Sequence, residues 1–153
     1  MKITMYLKPS AVIEELKAST KEAVLEELAS VLPLAGRNDD WEKMVKVLMA
    51  REKLGSTGIG DGIAIPHGKL RGLDHLMIAF GRSKKGVDYN AMDGKPVYLF
   101  FLLMAPEDSP GQHLKVLARI SRLLKDETIR KKLIEAKSTE ELYRVIAEKD
   151  EES

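Results

Sequence analysis

The sequence contains no cysteine, and neither sign of charge is in marked excess. The absence of cysteine excludes disulfide bonds and thiolate metal sites. A formal net charge of +1 gives the chain no general electrostatic reason to bind nucleic acid or an anionic membrane. Any bound anion must therefore be held by a local site, and we expect no nucleic-acid partner.

Long hydrophobic runs are also missing. The longest apolar stretch, residues 97–105, has about half the length of a membrane-spanning helix, so it predicts a buried strand. The first ten residues lack the apolar run and the small-residue cleavage pattern of a signal peptide. We therefore expect a cytoplasmic protein without direct membrane insertion.

The order of the local patterns is helices, then strands, then helices, without an internal repeat or a low-complexity linker. A chain of 153 residues is long enough to bury one substantial core. We predict a single α/β domain over residues 1–153, with one mixed β-sheet flanked by helices on both sides. Residues from about 148 to 153 are expected to form a frayed tail.

Five segments have helical periodicity and recognisable ends. The predicted N-terminal caps are Ser19 (in a capping box with Glu22), Asn38 or Asp39, Ser109 (before Pro110), Asp126 and Ser138 (in a capping box with Glu141). Pro33 and Gly36 are expected to close the first helix, and Gly55 follows the second. The predicted inner face of the third helix consists of Leu114, Leu117, Ala118, Ser121 and Leu124.

Strand patterns occupy the middle of the chain. A short strand is expected to end at Pro66, between two glycine-rich loops, and a second strand to cover residues 76–80. Residues 87–89 are a candidate edge strand, and Asp93-Gly94 predicts a turn. Residues 96–104 are almost uninterruptedly apolar, which predicts a central strand covered on both faces.

Glycine occurs at six positions between residues 55 and 72. Glycines let backbone N–H groups converge on an anion, although a plain structural loop explains them equally well. Two nucleotide motifs fail here. From Gly62 to Gly68 the spacing is one residue too long for a P-loop, and Leu70 stands where a Ser or Thr must bind magnesium. Ile65 occupies the position of the third glycine in a dinucleotide fingerprint.

The tripeptide Pro66-His67-Gly68 is the strongest candidate for chemistry. Proline fixes the backbone before the histidine, and glycine removes side-chain bulk after it. Much of an unperturbed imidazole is unprotonated near neutral pH, so it is a competent nucleophile. The alternative is a surface histidine in a turn, which is the commoner situation for an arbitrary sequence of this kind.

Two further residues could complete an anion site around His67. Arg51, at the predicted end of the second helix, has a planar guanidinium suited to phosphoryl oxygens. His113 lies in the first turn of the helix capped by Ser109, where backbone N–H groups favour anions. Either residue could instead be a solvated helix-end side chain. We assign His75 to solvent, and the spacing of the three histidines gives no reason to expect a metal.

The run REKLGSTGIGDGIAIPHG, residues 51–68, resembles the phosphorylation segment of enzyme IIA domains. These domains form the mannitol/fructose class of the phosphoenolpyruvate-dependent phosphotransferase system. The resemblance continues through residues 92–97, 112–114 and 140–143, and so covers nearly the whole chain. Within the class, the segment is most similar to the nitrogen-regulatory branch.

The resemblance implies a role for each site residue. His67 would be the phosphorylated histidine, attacking through Nε2, while Arg51 and His113 would stabilise the phosphoryl group. Thr57 is a candidate loop contact. The donor would be a phosphorylated HPr-type protein, with no cofactor, metal or nucleotide required.

Four possibilities remain open on the sequence alone. A nitrogen-regulatory IIA acts by contacting transporters and regulators, whereas a sugar-transport IIA passes its phosphoryl group to a cysteine of a IIB domain. A regulatory binding module would be switched by phosphorylation without onward transfer. The least specific alternative is a phosphate-binding fold in which His67 is never modified.

Overall fold

The structure, a computed structural model, describes residues 2–33 and 38–152. Within these residues six strands form one mixed sheet. They are β1 (Leu7–Ile13), β2 (Gly58–Gly60), β3 (Ile63–Ala64), β4 (His67–Leu70), β5 (Met77–Val87) and β6 (Val97–Pro106). The sheet order is β1-β5-β6-β3-β2. β4 also pairs with β6, with residues 103–106, after the part of β6 that pairs with β3. β6 is antiparallel to β5 and parallel to β3 and β4, so it is the central strand, as predicted.

Five helices surround this sheet. They are α1 (Lys21–Ser30), α2 (Asn38–Lys53), α3 (Pro110–Lys125), α4 (Glu127–Glu135) and α5 (Thr139–Glu152). α1 and α2 pack on each other and contact β5 and β4, while α3, α4 and α5 pack together against β1, β5 and β6. The prediction of a mixed sheet between helices is confirmed. None of the described helices is long and apolar enough to cross a membrane.

The core follows the two long strands. All residues from Leu99 to Pro106 are buried, because helices cover both faces of β6. Phe80 and Phe101 lie opposite each other in the β5–β6 register and pack edge to face, with ring centroids 4.9 Å apart. Met44 and Leu48 of α2 are fully buried and join this core.

Several predicted boundaries shift by one or more residues. The first helix is capped by Thr20 rather than Ser19, because the Thr20 hydroxyl accepts the Ala23 N–H. The strand predicted over residues 76–80 is β5, which continues past Phe80 to Val87, so residues 87–89 are not a separate edge strand. The predicted helix end at Gly36 lies outside the described residues. Asp126 caps α4 as predicted, accepting the N–H groups of Thr128 and Ile129.

The predicted frayed tail is wrong for residues 148–152, which complete α5. Asp150 is 1% exposed. Its carboxylate accepts hydrogen bonds from Arg119 Nε at 2.7 Å and from the Thr4 N–H at 3.0 Å. These contacts attach the last turn to α3 and to the start of the chain, and they supply the anchoring that the charged sequence did not suggest.

The inner face of α3 is rotated relative to the prediction. The buried residues of this helix are His113, Val116, Ile120, Leu123 and Leu124. Leu114 is instead 66% exposed. Leu114, Leu117, Ala118 and Ser121 line the surface beside His67. Of the five predicted residues, Leu124 is buried as expected, whereas the other four form a second stripe that faces the candidate site.

Candidate functional site

The backbone of His67 is fixed by the centre of the sheet. His67 does not lie in a loop after a strand, as the sequence predicts, but begins β4 opposite Leu103 of β6. The Pro66 carbonyl accepts the Leu103 N–H at 2.9 Å. Pro66 has no N–H of its own to satisfy, and its ring restricts the chain before the histidine. The imidazole therefore stands on an anchored and stiff main chain.

The imidazole ring is oriented by one hydrogen bond to its own backbone. Nδ1 of His67 lies 2.9 Å from the carbonyl oxygen of Ile65. A carbonyl can only accept, so Nδ1 carries the proton in the neutral ring. Nε2 then holds the free lone pair, and the half-buried ring remains accessible to a partner. The hydrogen bond thus selects the nucleophilic nitrogen.

The structure brings the second histidine to the first. The rings of His67 and His113 meet edge to face, with their centroids 5.4 Å apart and their planes at 64°. His113 lies in the first turn of α3, where its backbone N–H donates to the Ser109 carbonyl at 3.2 Å. Nδ1 of His113 is buried and has no hydrogen-bond partner within the described residues. This nitrogen is consequently a polar group in need of a partner next to the reactive ring.

Arg51 completes the set of three. It lies in the last turn of α2 and donates from Nη1 to the Gly55 carbonyl at 2.8 Å. This contact holds the guanidinium at the start of the glycine-rich loop. Arg51 and His67 both line each of two hollows that flank the imidazole.

The two hollows differ in size and walls. The first has a volume of about 700 Å³ and extends between α2, β4 and the start of α3, with Leu54 and Leu114 at its rim. The second has a volume of about 410 Å³ and is lined by the glycine-rich loop, Met92 and α3. Both are largely apolar, with His67 and Arg51 as their shared charged or titratable groups.

Gly68 lets α2 approach the imidazole. A Cβ at this position would lie 2.6 Å from Cγ1 of Val47, closer than two carbon atoms can pack. The sequence predicts that Gly68 leaves space beside the ring. In the structure, that space is occupied by Val47 of α2. A side chain here would force Val47 to move, either alone or together with α2, the helix that carries Arg51.

Burial decides the protonation of both histidines. Burial lowers the pKa of His67, and the nearby Arg51 charge also lowers it, whereas the bond to the Ile65 carbonyl raises it. For His113, burial lowers the pKa to about 4, with a smaller contribution from His67. Both rings are therefore neutral at pH 7. A neutral His113 can still donate its single N–H to an anionic oxygen.

Two further residues named from the sequence have different positions. Thr57 lines the second hollow but is 3% exposed, and its hydroxyl donates to the Glu52 carboxylate. His75 is exposed, as predicted. In the part of the chain that the structure describes, no three His, Asp or Glu side chains come together in a way that could hold a metal ion.

Glu52 is a further buried polar residue beside the site that none of the sequence motifs indicates. It stands four residues after Leu48 and eight after Met44, and so continues the buried face of α2. A carboxylate at a buried helical position has to be paired, and this periodicity is the signal that could have found it.

Comparison with known proteins points to one family. Residues 5–149 match the family model described as "Phosphoenolpyruvate-dependent sugar phosphotransferase system, EIIA 2". The chain is 45% identical over 148 residues to a nitrogen regulatory protein of Bradyrhizobium diazoefficiens, covering 96% of this chain and 95% of the relative. It is 42% identical over 150 residues to the fructose-specific EIIABC component of Bacillus subtilis, covering 98% of this chain and 24% of that longer protein.

A solved structure extends the similarity to the fold. The nitrogen regulatory protein IIA-Ntr of Neisseria meningitidis superposes with a TM-score of 0.85 at 36% identity. The match covers 94% of this chain and 98% of that one. The family match, the Bradyrhizobium relative matched along nearly its whole length and the shared fold confirm the resemblance found in the sequence. The chain belongs to the EIIA type 2 family of the phosphoenolpyruvate-dependent sugar phosphotransferase system.

Proposed function

We propose that this chain is a cytoplasmic phosphocarrier that accepts a phosphoryl group from an HPr-type protein on Nε2 of His67. The observation that carries the proposal is the Nδ1 contact to the Ile65 carbonyl, which leaves Nε2 as the free nucleophile next to Arg51 and His113. The test is the intact mass of the chain after incubation with a phosphorylated HPr-type donor, followed by mapping of the modified residue.

The transfer needs no group beyond the two imidazoles and their neighbours. Nε2 of His67 attacks phosphorus in line, and the P–N bond to the donor imidazole breaks as the new P–N bond forms. The donor ring keeps the proton on its other nitrogen and leaves neutral. His67 keeps its Nδ1 proton and becomes a phosphorylated imidazolium, whose charge the Ile65 carbonyl stabilises.

Exposed apolar side chains around the imidazole support a protein donor. Leu54 is 86%, Met92 77% and Leu114 66% exposed, and all three line the two hollows. Large apolar side chains that cluster on a surface indicate a contact with another protein. A phosphohistidine of the donor would reach His67 at the centre of this cluster.

The first prediction concerns Arg51. Replacing Arg51 by Ala should lower the transfer rate about 100-fold, because a preorganised cation at the developing phosphoryl charge is lost. The fold should persist, since the contact to the Gly55 carbonyl is exposed. Single-turnover transfer measures the effect. Lys53→Ala is the matched control, because it removes an exposed cation from the last residue of the same helix. Equal rates for Arg51→Ala and the parent would remove Arg51 from the mechanism.

The second prediction concerns pH. Burial and Arg51 lower the pKa of His67, so the ring should stay neutral to a pH below the ordinary histidine value of 6.5. Transfer competence should accordingly persist as the pH falls to 6.5 and disappear only below it. NMR titration of the His67 ring in the folded chain gives the midpoint, and the same ring in urea is the control. A folded-state midpoint above 6.5 would contradict the proposed electrostatics.

Onward transfer separates two roles within the family. We favour a nitrogen-regulatory role, because the Bradyrhizobium relative with that name matches along nearly its whole length. The fructose-specific relative favours the second candidate, a sugar-transport IIA that passes its phosphoryl group to a IIB cysteine. Incubating the phosphorylated chain with a fructose-type IIB domain decides between them. Stoichiometric transfer supports transport, whereas phosphorylation-dependent capture of a kinase or potassium transporter without transfer supports regulation.

A further inference from the structure

The Glu52 side chain is buried beside the proposed site, and the mechanism above gives it no task. Its side chain is 2% exposed. Oε1 accepts the Thr57 N–H at 3.1 Å, and Oε2 accepts the Thr57 hydroxyl and, at 3.1 Å, the Tyr89 hydroxyl. Nζ of Lys21 lies 3.0 Å from Oε1 and 4.7 Å from the centre of the Tyr89 ring. Four donors thus converge on one carboxylate.

A chain of backbone contacts leads from this carboxylate to the imidazole. Glu52 holds the N–H of Thr57. The Thr57 carbonyl accepts the Ile65 N–H at 3.0 Å, and the Ile65 carbonyl accepts Nδ1 of His67. The group that orients His67 is therefore itself anchored on the loop residue that Glu52 fixes.

The same carboxylate fixes the opposite wall of the second hollow. Tyr89, which donates to Glu52, begins the segment 89–92. The Gly58 carbonyl accepts the Met92 N–H at 2.9 Å, and a Cβ on Gly58 would lie 2.9 Å from Cβ of Ala91. The glycine-rich loop and the segment that carries Met92 are packed without spare room, and Glu52 is hydrogen-bonded to both.

We propose that Glu52 is a positioning residue for phosphoryl transfer at His67. Its carboxylate sets the glycine-rich loop and, through Thr57 and Ile65, the orientation and tautomer of the imidazole. Glu52 is also the residue next to Arg51 in the last turn of α2, so one buried group is tied to the placement of both the nucleophile and its neighbouring cation. This inference rests on the proposed function of His67.

A carboxylate is needed because every neighbour of this position donates. Glutamine offers one acceptor oxygen, and its amide N–H groups would face the donors of Thr57, Tyr89 or Lys21. The isosteric Glu52→Gln therefore keeps the volume but forces at least one donor out of place. An error of about 1 Å in the position of a reacting group costs up to about 100-fold in rate.

The experiment compares single-turnover transfer from a phosphorylated HPr-type donor, over a range of donor concentrations, to the parent chain, Glu52→Gln, Thr57→Val and Thr57→Ser. Here kcat is the transfer rate at saturating donor, and KM is the donor concentration that gives half of that rate. We expect kcat to fall roughly tenfold to 100-fold in Glu52→Gln and to fall in Thr57→Val. KM for the donor should change by less than about twofold, because Glu52 lies beneath the surface that a donor contacts. Thr57→Ser keeps the hydroxyl and should retain more of the parent rate than Thr57→Val does.

A second readout reports on the imidazole itself. Ring nitrogen chemical shifts should show His67 protonated at Nδ1 in the parent, and a mixture of tautomers in Glu52→Gln. If Glu52→Gln does not fold, Tyr89→Phe and the Thr57 pair carry the same test. An unchanged kcat in the folded variants, or a change in KM alone, overturns the role of Glu52 while leaving His67 in place. A parent chain that is never labelled on His67 overturns both proposals.

Discussion

Replacing His67 by Ala should abolish labelling of the chain by a phosphorylated HPr-type donor. The free Nε2 of this ring is the nucleophile in the proposed transfer, and none of its neighbours can substitute for it. His113, with its ring centroid 5.4 Å away, is 6% exposed and lies under the site. The guanidinium of Arg51 can only donate hydrogen bonds and cannot attack phosphorus. Loss of a nucleophile should therefore remove the signal rather than slow it.

Intact mass gives the result directly, since the parent chain should gain one phosphoryl group and His67→Ala none. His75→Ala is the matched control, because it removes an exposed histidine and should label as the parent does. The label should survive alkali and disappear in acid, which distinguishes phosphohistidine from phosphoserine. Persistent labelling of His67→Ala, or an acid-stable label, would place the modification on another residue.

The elements that the sequence predicted well are those whose signals are local. Asp126 caps α4 through its own side chain, and Ser109-Pro110 starts α3 at the expected residue. The uninterrupted apolar run of β6 requires cover on both faces, which only a central strand has. A helix cap depends on adjacent residues, and a strand that is buried on both faces has a continuous apolar sequence. Both signals lie within one segment of the sequence.

The elements that were missed depend on partners distant in the sequence. β4 has no alternating pattern, since its four residues are His-Gly-Lys-Leu, and it is a strand because β6 supplies its hydrogen bonds. β5 continues through Gly81 and Arg82, where the sequence suggests an end. No local rule indicates that an arginine in this strand finds acceptors at the end of a helix about fifty residues later.

The site shows the same division. The sequence places His67, Arg51 and His113 in separate elements, and only the family resemblance predicts that they belong together. The fold joins them because β4, which begins at His67, pairs with β6. The end of α2 and the start of α3 both lie next to His67. The buried carboxylate of Glu52 could be inferred from helical spacing, but its partners Tyr89 and Lys21 could not.

Replacing Arg82 by Met should have the largest effect on stability away from the site. Arg82 is fully buried in β5, and its guanidinium donates to the Leu133 carbonyl at 2.9 Å, to the Ala136 carbonyl and to the Glu14 carbonyl at 3.1 Å. The first two belong to the C-terminal end of α4, where helical carbonyls lack partners of their own. The guanidinium thus caps one helix from inside the sheet.

Methionine approximates the length of the side chain but leaves these buried carbonyls without a donor. Since the acceptors belong to the backbone, no compensating substitution removes them, in contrast to a buried ion pair whose two members can both be replaced. We expect the free energy of unfolding to fall by about 3 kcal/mol or more. Denaturant unfolding measures the loss, with Arg122→Met on the exposed face of α3 as the matched control. Equal stability of the two variants would mean that the apolar replacement offsets the lost hydrogen bonds, and that Arg82 does not hold α4 to the sheet.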